Sequence, residues 1–196
     1  RALRNLESLV GACSGRCRGL HFGPYDFLAS CGIGSPQLHN PVNVQARAAI
    51  LLQWSGRGLE LADGPTTTLP LPVHREPKNE QLQENQKAIR GAWEQHRDDV
   101  VASRSAGFRQ SWLLHPSQLV SHTAALLHEY DLLWPQACER LARYWKNRGQ
   151  ASSSGSHFDD RATARQWVQV LQDSLSLGFL DEQELFTRLP SNWREV

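Results

Sequence analysis

The 196-residue chain is 40% hydrophobic and 21% charged, which is enough apolar material for a core and too little charge excess for a disordered polymer. A formal net charge of +1 supplies no bulk field for nucleic acid or an anionic membrane surface, and no apolar run approaches the ~20 residues of a spanning helix. Cys13, Cys17, Cys31 and Cys138 match no zinc-ligand spacing and read as thiols of a reducing, cytoplasmic compartment. The chain contains no methionine and opens on an amphipathic pattern, from which it is expected to be the later part of a longer protein.

Leu3, Leu6, Leu9 and Val10 recur at helical spacing, predicting a helix over 2–13 that stops near Gly15. Gly19-Leu20-His21-Phe22 is apolar but for one residue and closes on Gly23-Pro24, the pattern of a short buried parallel strand, predicted over 18–23. Asp26 follows between Tyr25 and Phe27. Such a carboxylate, just past a buried strand, serves either as a catalytic group or as the cap of the next turn. Residues 34–43 carry Ser-Pro and His-Asn-Pro with no periodicity and read as a loop. A helix over 44–54 places Ala46, Ala49 and Ile50 toward a sheet, and a second strand over 58–62 ends at Asp63-Gly64-Pro65. An extended loop then leads to a long polar helix over 79–103 with a sparse apolar seam of Ile89, Trp93, Val100 and Val101. A third strand is expected over 109–114, closed by His115-Pro116, and two helices over 119–134 and 135–147. The Gly- and Ser-rich segment 149–158 reads as a flexible linker, and 159–196 as a helical tail with Asp160 capping its first helix.

Alternating strands and helices predict an α/β fold, either a (β/α) barrel or a doubly wound sheet. Asp26, Asp63 and His115 then stand at three successive strand ends, and in a β/α barrel all would open onto the face where reacting groups gather. His115 is a candidate acid or base because its unperturbed pKa lies near neutrality, with a backbone-bonded turn as the alternative. Gln118 is placed to cap the helix that follows. The remaining histidines form no H-x-x-x-H or H-x-H pair, and no G-x-S-x-G, P-loop or G-x-G-x-x-G occurs, which argues against zinc hydrolases, serine hydrolases and nucleotide folds. Scattered basic residues give a nucleic-acid role no support.

The segment Phe22-Gly23-Pro24-Tyr25-Asp26-Phe27 resembles the F-G-x-x-D-F/Y that ends a barrel strand in the citrate lyase β-subunit and HpcH/HpaI aldolase superfamily. Gly107-Phe108-Arg109 and Trp112-Leu113-Leu114-His115-Pro116-Ser117-Gln118 resemble that family's G-x-x-G-K-x-x-I-H-P-x-Q, without the Gly-Lys. Gly23 to Ile33, and Leu61-Ala62-Asp63-Gly64-Pro65-Thr66 to Pro70, are similar to an actinobacterial-type aldolase-like branch, with Pro24 and Phe27 as departures. The resemblance implies the C-terminal portion of a (β/α)8 TIM barrel, about three β/α units over 1–148, followed by the helical extension. It also implies a carbon–carbon lyase or aldolase acting on an oxo acid or acyl-thioester such as a CoA ester, through a metal-stabilised enolate, in a homo-oligomer. Asp26 would bind Mg2+ or Mn2+ together with a Glu preceding residue 1, His115 would be catalytic, and Gly23, Tyr25, Asp63 and Gln118 would contact substrate. Taken alone, this chain is expected to be inactive and to associate with itself. The alternative is a non-catalytic interaction module derived from the barrel.

Overall fold

The computed structural model describes residues 2–109, 112–147, 151–154 and 157–196. A short 3-10 turn, Ala2–Asn5, runs into helix α1, Leu6–Ala12, so the expected first helix starts tighter than a regular one. Strand β1, Gly19–His21, pairs in parallel with β2, Glu60–Ala62, in the register Leu20 to Leu61. Gly19 is needed there, because a Cβ would stand 2.9 Å from the Glu60 carbonyl oxygen. Between these strands the chain forms α2, Pro24–Ser30, and α3, Pro41–Trp54. Both open on a proline, whose missing N–H is no loss in a first helical turn. Helix α4, Glu80–Ser105, follows a long loop after β2.

The expected parallel neighbours are therefore present, and among the described residues the third strand is reduced to a single bridge. Arg109 alone bridges Ala62 in parallel, donating its N–H to Leu61 O at 2.7 Å and accepting from Asp63 N at 2.8 Å. Gln110 and Ser111 of the expected strand lie outside the described residues. Past them, the Leu114 and His115 amides donate to Gln118 Oε1 at 2.8 and 3.3 Å, so neither is available to a ladder. Local capping has taken the donors that a strand would have used.

A 3-10 turn, Pro116–Gln118, leads into α5, Leu119–Lys146, one helix where two were expected. Pro135 lies inside it and removes one backbone hydrogen bond. The buried positions Leu126, Tyr130, Ala137, Cys138, Leu141 and Tyr144 keep helical spacing across that proline, and their burial holds the helix together. Within the expected linker, β3, Ser152–Ser154, pairs antiparallel with β4, His157–Asp159, while 148–150, 155 and 156 lie outside the described residues. Helix α6, Arg161–Ser176, starts at a capping box between Asp160 and Thr163, and α7 spans Glu182–Arg188. The amide bonds from Thr163 hold the Asp160 carboxyl below its usual pKa.

The chain makes two compact units that divide inside α5, one ending at Ala125 and the other starting at Leu126. The first has its core between strands and helices, where Phe22, Ala46, Ile50, Trp54, Leu61 and Phe108 are buried together. The second packs α5, α6 and α7 around Leu141, Leu171, Leu185 and Trp193, all fully buried. Cys138 belongs to this second core, and burial pushes its thiol up to about 11. No helix is long and apolar enough to cross a membrane among the described residues.

Candidate functional site

The end of β1 presents an open carboxylate. Gly23 is the N-cap of α2, with φ of −95°, a backbone open to other residues. Asp26 sits in the first turn, where an anion is favoured by the helix dipole, yet its side chain caps no backbone N–H. Among the described residues it has no hydrogen-bond or ion-pair partner, and it is exposed. It lines a cavity of about 520 Å³ together with Gly23. Buried Phe22, Ile50 and Phe108 and partly buried Leu3, Leu6, Leu20 and Phe27 give that cavity its apolar surface. Exposed Arg4, His21, Asp26 and Ser30 supply its polar groups.

Tyr25 turns the other way. Its hydroxyl donates to Pro65 O at 2.7 Å, which ties α2 to the loop after β2, and burial raises the phenol above its ordinary pKa. That loop fits tightly against α2. A Cβ on Gly64 would lie 2.3 Å from Pro24 Cδ, so only glycine admits the proline ring there.

Asp63, at the end of β2, is fully buried. Its Oδ2 lies 2.8 Å from Arg47 Nε, an ion pair without hydrogen-bond alignment, and accepts from Ser103 Oγ at 2.7 Å. Its Oδ1 accepts from Gly64 N at 2.9 Å. The carboxylate thus joins β2 to α3 and α4 and faces no solvent. Asp99 accepts from Thr66 Oγ1 at 2.7 Å and pairs with His39 Nε2 at 2.9 Å, which holds the loop after β2 and the α2–α3 connection to α4.

His115 is a half-buried N-cap. Its Nδ1 lies 2.7 Å from Ser117 Oγ and accepts from Ser117 N at 3.2 Å, so a neutral ring carries its proton on Nε2. Gln118 is fully buried; besides accepting from two amides, it donates to Thr66 O at 2.9 Å and Thr68 O at 3.3 Å. Of the six residues singled out from the sequence, Gly23 and Asp26 meet at the cavity. Tyr25, Asp63, His115 and Gln118 are outside its lining.

Sequence reasoning missed Arg4 and His21. The signal for His21 was the single polar residue in an otherwise apolar strand. Arg47 was also missed, although it is the one charged residue in α3 and therefore had to find a partner when buried.

A hard dication takes oxygen ligands and ordinarily more than one carboxylate. Asp26 offers two unpartnered oxygens, but no group of three His, Cys, Asp or Glu side chains able to hold a metal occurs among the described residues. The residues present supply one ligand and fall short of a metal site.

A parallel pair of strands whose ends lead into helices, with an acid exposed beyond one strand end, makes the first unit a β/α arrangement. The structure is similar to a crystal structure of a citrate lyase from Burkholderia xenovorans LB400, with a TM-score of 0.64 and 19% identity over 94% of this chain. The matched region is 53% of that citrate lyase, so the chain spans about half its length. No curated protein matches the chain. A family model described as a domain of unknown function, DUF6986, matches residues 2–196, and the chain belongs to that family.

Proposed function

We propose that the chain forms part of a carbon–carbon lyase of aldolase or citrate-lyase type, with the residues up to Ala125 making about three β/α units of an eightfold barrel. Its substrate on this reading is a small carboxylate, an oxo acid or an acyl-thioester. The observation that carries the reading is Asp26: an exposed, unpartnered carboxylate one turn past a parallel strand, on the wall of a 520 Å³ cavity. Asp63, by contrast, is buried and held by Arg47 and Ser103.

Asp26 would supply one oxygen ligand to a Mg2+ or Mn2+, and no group of side chains that would complete the site occurs among the described residues. When bound, such an ion withdraws electron density from a substrate oxygen. Gly23 stands beside Asp26, and an added Cβ there would meet its Oδ2 only at an ordinary contact distance of 3.5 Å. His115, which lies outside the cavity lining and has Nδ1 occupied, would serve a substrate only as a hydrogen-bond donor through Nε2.

The test is a Mn2+ titration of the 196-residue chain followed by NMR line broadening, which registers weak binding without turnover. Broadening centred on residues 23–30, and lost in Asp26→Asn, is expected. Broadening elsewhere, or unchanged in the variant, would overturn the assignment. The burial of Asp63 and Gln118 in the scaffold favours a second reading, a non-catalytic module that kept the fold. That reading gains if Mn2+ leaves residues 23–30 untouched.

A further inference from the structure

We propose that His21, and not His115, is the group that takes and returns a proton in the cavity beside Asp26. The proposal rests on the lyase reading of that cavity and names a residue for its proton transfer. Three observations lead to it.

The first is position. His21 is the last residue of β1, in register with Ala62 of β2, so it stands at the carboxyl end of a parallel strand. That end is where a β/α fold gathers its reacting groups. Side chains alternate along a strand. Leu20 and Phe22, the flanking residues, pack into the first core, and Phe22 meets Phe27 with ring centroids 5.6 Å apart. His21 between them stays out of that packing and is exposed.

The second is freedom. A base needs a nitrogen able to accept, within hydrogen-bond reach of the proton it removes. Among the described residues neither ring nitrogen of His21 has a hydrogen-bond or ion-pair partner. His39 is held by Asp99, His74 by Glu84, and the buried His96 by Ser121. His115 spends Nδ1 on the Ser117 amide.

The third is company. His21, Gly23, Asp26 and Ser30 line one cavity of about 520 Å³, and His115 is outside that lining. A substrate lying there has the His21 ring in its wall. Imidazole is also the side chain whose proton comes and goes near neutral pH.

The step closes on one imidazole. A neutral ring nitrogen of His21 accepts the proton of a substrate hydroxyl that stands beta to the carbonyl. The carbon–carbon bond breaks, its electron pair passes into an enolate, and the hydroxyl carbon leaves as a carbonyl. The imidazolium then returns the proton to the enolate carbon, which releases the second product and restores the neutral ring.

The experiment follows deuterium exchange of the pyruvate methyl group in D2O by proton NMR, with the 196-residue chain in a buffer containing Mg2+. Exchange asks for one proton transfer at carbon and not for a full turnover. The chain is expected to accelerate exchange, and His21→Gln to cut that acceleration about hundredfold or more. His128→Gln, at an exposed position of α5 in the second unit, should leave it unchanged. In His21→Ala, added imidazole should restore exchange, a rescue that a merely structural role would not give. No acceleration by the wild type, an undiminished rate in His21→Gln, or no rescue of His21→Ala would overturn the proposal. A loss in His115→Gln as large as in His21→Gln would also overturn it. Failure of the two readings is distinguishable. Asp26-dependent Mn2+ broadening with exchange indifferent to His21 keeps the metal ligand and removes this assignment. His21-dependent exchange with broadening unchanged in Asp26→Asn does the reverse.

Discussion

The ends of β1 and β2 are written alike and folded to opposite purposes. Each strand is a short apolar run followed within a few residues by Gly, Pro and Asp. At β1 the acid, Asp26, points into an open cavity with no partner among the described residues. At β2 the acid, Asp63, is fully buried against Arg47, Ser103 and the Gly64 amide. The difference lies in the helices behind the strands, not in the strands themselves. α3 places Arg47 and α4 places Ser103 where β2 ends. Here the layer behind β2 supplies its acid with a cation, and among the described residues none reaches Asp26.

The largest effect should come from unpairing the buried acid. Asp63→Asn leaves Arg47, 4% exposed, charged and without its counterion. Breaking a buried pair in this way costs about 3 kcal/mol or more. Asp26→Asn removes an exposed charge with no partner and should change stability by less than about 0.5 kcal/mol. Urea unfolding of both variants measures the contrast. Equal losses would mean that the two strand ends do not differ in kind.

A somewhat smaller effect is expected where the two ends touch. In Gly64→Ala the new Cβ would lie 2.3 and 2.4 Å from Pro24 ring atoms, and a proline at the start of a helix cannot swing away. The strain should cost about 2 kcal/mol. It should also disturb the cavity through α2, so the NMR shifts of residues 23–30 would move in this variant although no cavity residue has been replaced.

How much of this was legible follows from the same contrast. The strands at 19–21 and 60–62, the long α4 and the Asp160 cap could be read from apolar runs and cap residues, because these signals are local. α2 was hidden because Gly23-Pro24 reads as a break, although Pro at a first helical position is also a start signal. Of the expected third strand only Arg109 bridges β2 among the described residues, and Gln118 reaches back across a turn to the amides of Leu114 and His115. Of the candidate site, Asp26 was visible as a residue, but its openness was not. That depends on Arg47 lying at Asp63, 16 residues away in sequence, and no spacing rule encodes it.

His96 tests the polar layer under these loops at lower amplitude. It is fully buried, its Nδ1 lies 2.7 Å from Ser121 Oγ, and its Nε2 has no hydrogen-bond partner among the described residues. Burial lowers its pKa, His122 stacked at 6.3 Å lowers it further, and Asp99 opposes them. The unfolded chain takes up this proton near pH ~6.5 while the folded chain resists it, so stability is full above that pH and falls as pH drops below it. Between about pH 7.5 and about pH 5.5 the wild type should therefore lose more stability than His96→Gln. Identical losses in urea titrations at the two values would place His96 outside the pH response.

The smallest effect separates the two glycines that seem interchangeable in sequence. Unlike Gly64, Gly23 has room: an added Cβ meets only Asp26 Oδ2, at an ordinary 3.5 Å. Its φ of −95° and ψ of 85° are open to alanine, so no left-handed backbone is lost. Two minor terms then oppose each other. Alanine narrows the unfolded ensemble and stabilises by about 0.4–1 kcal/mol. It is also a poorer N-cap than glycine, which destabilises by a comparable amount. Gly23→Ala should thus stay within about 0.5 kcal/mol of the wild type, while Gly64→Ala does not. A loss at Gly23 as large as at Gly64, measured in the same urea titration, would mean that the β1 end is as tightly packed as the β2 end. Asp26 would then not be the open carboxylate on which the functional reading stands.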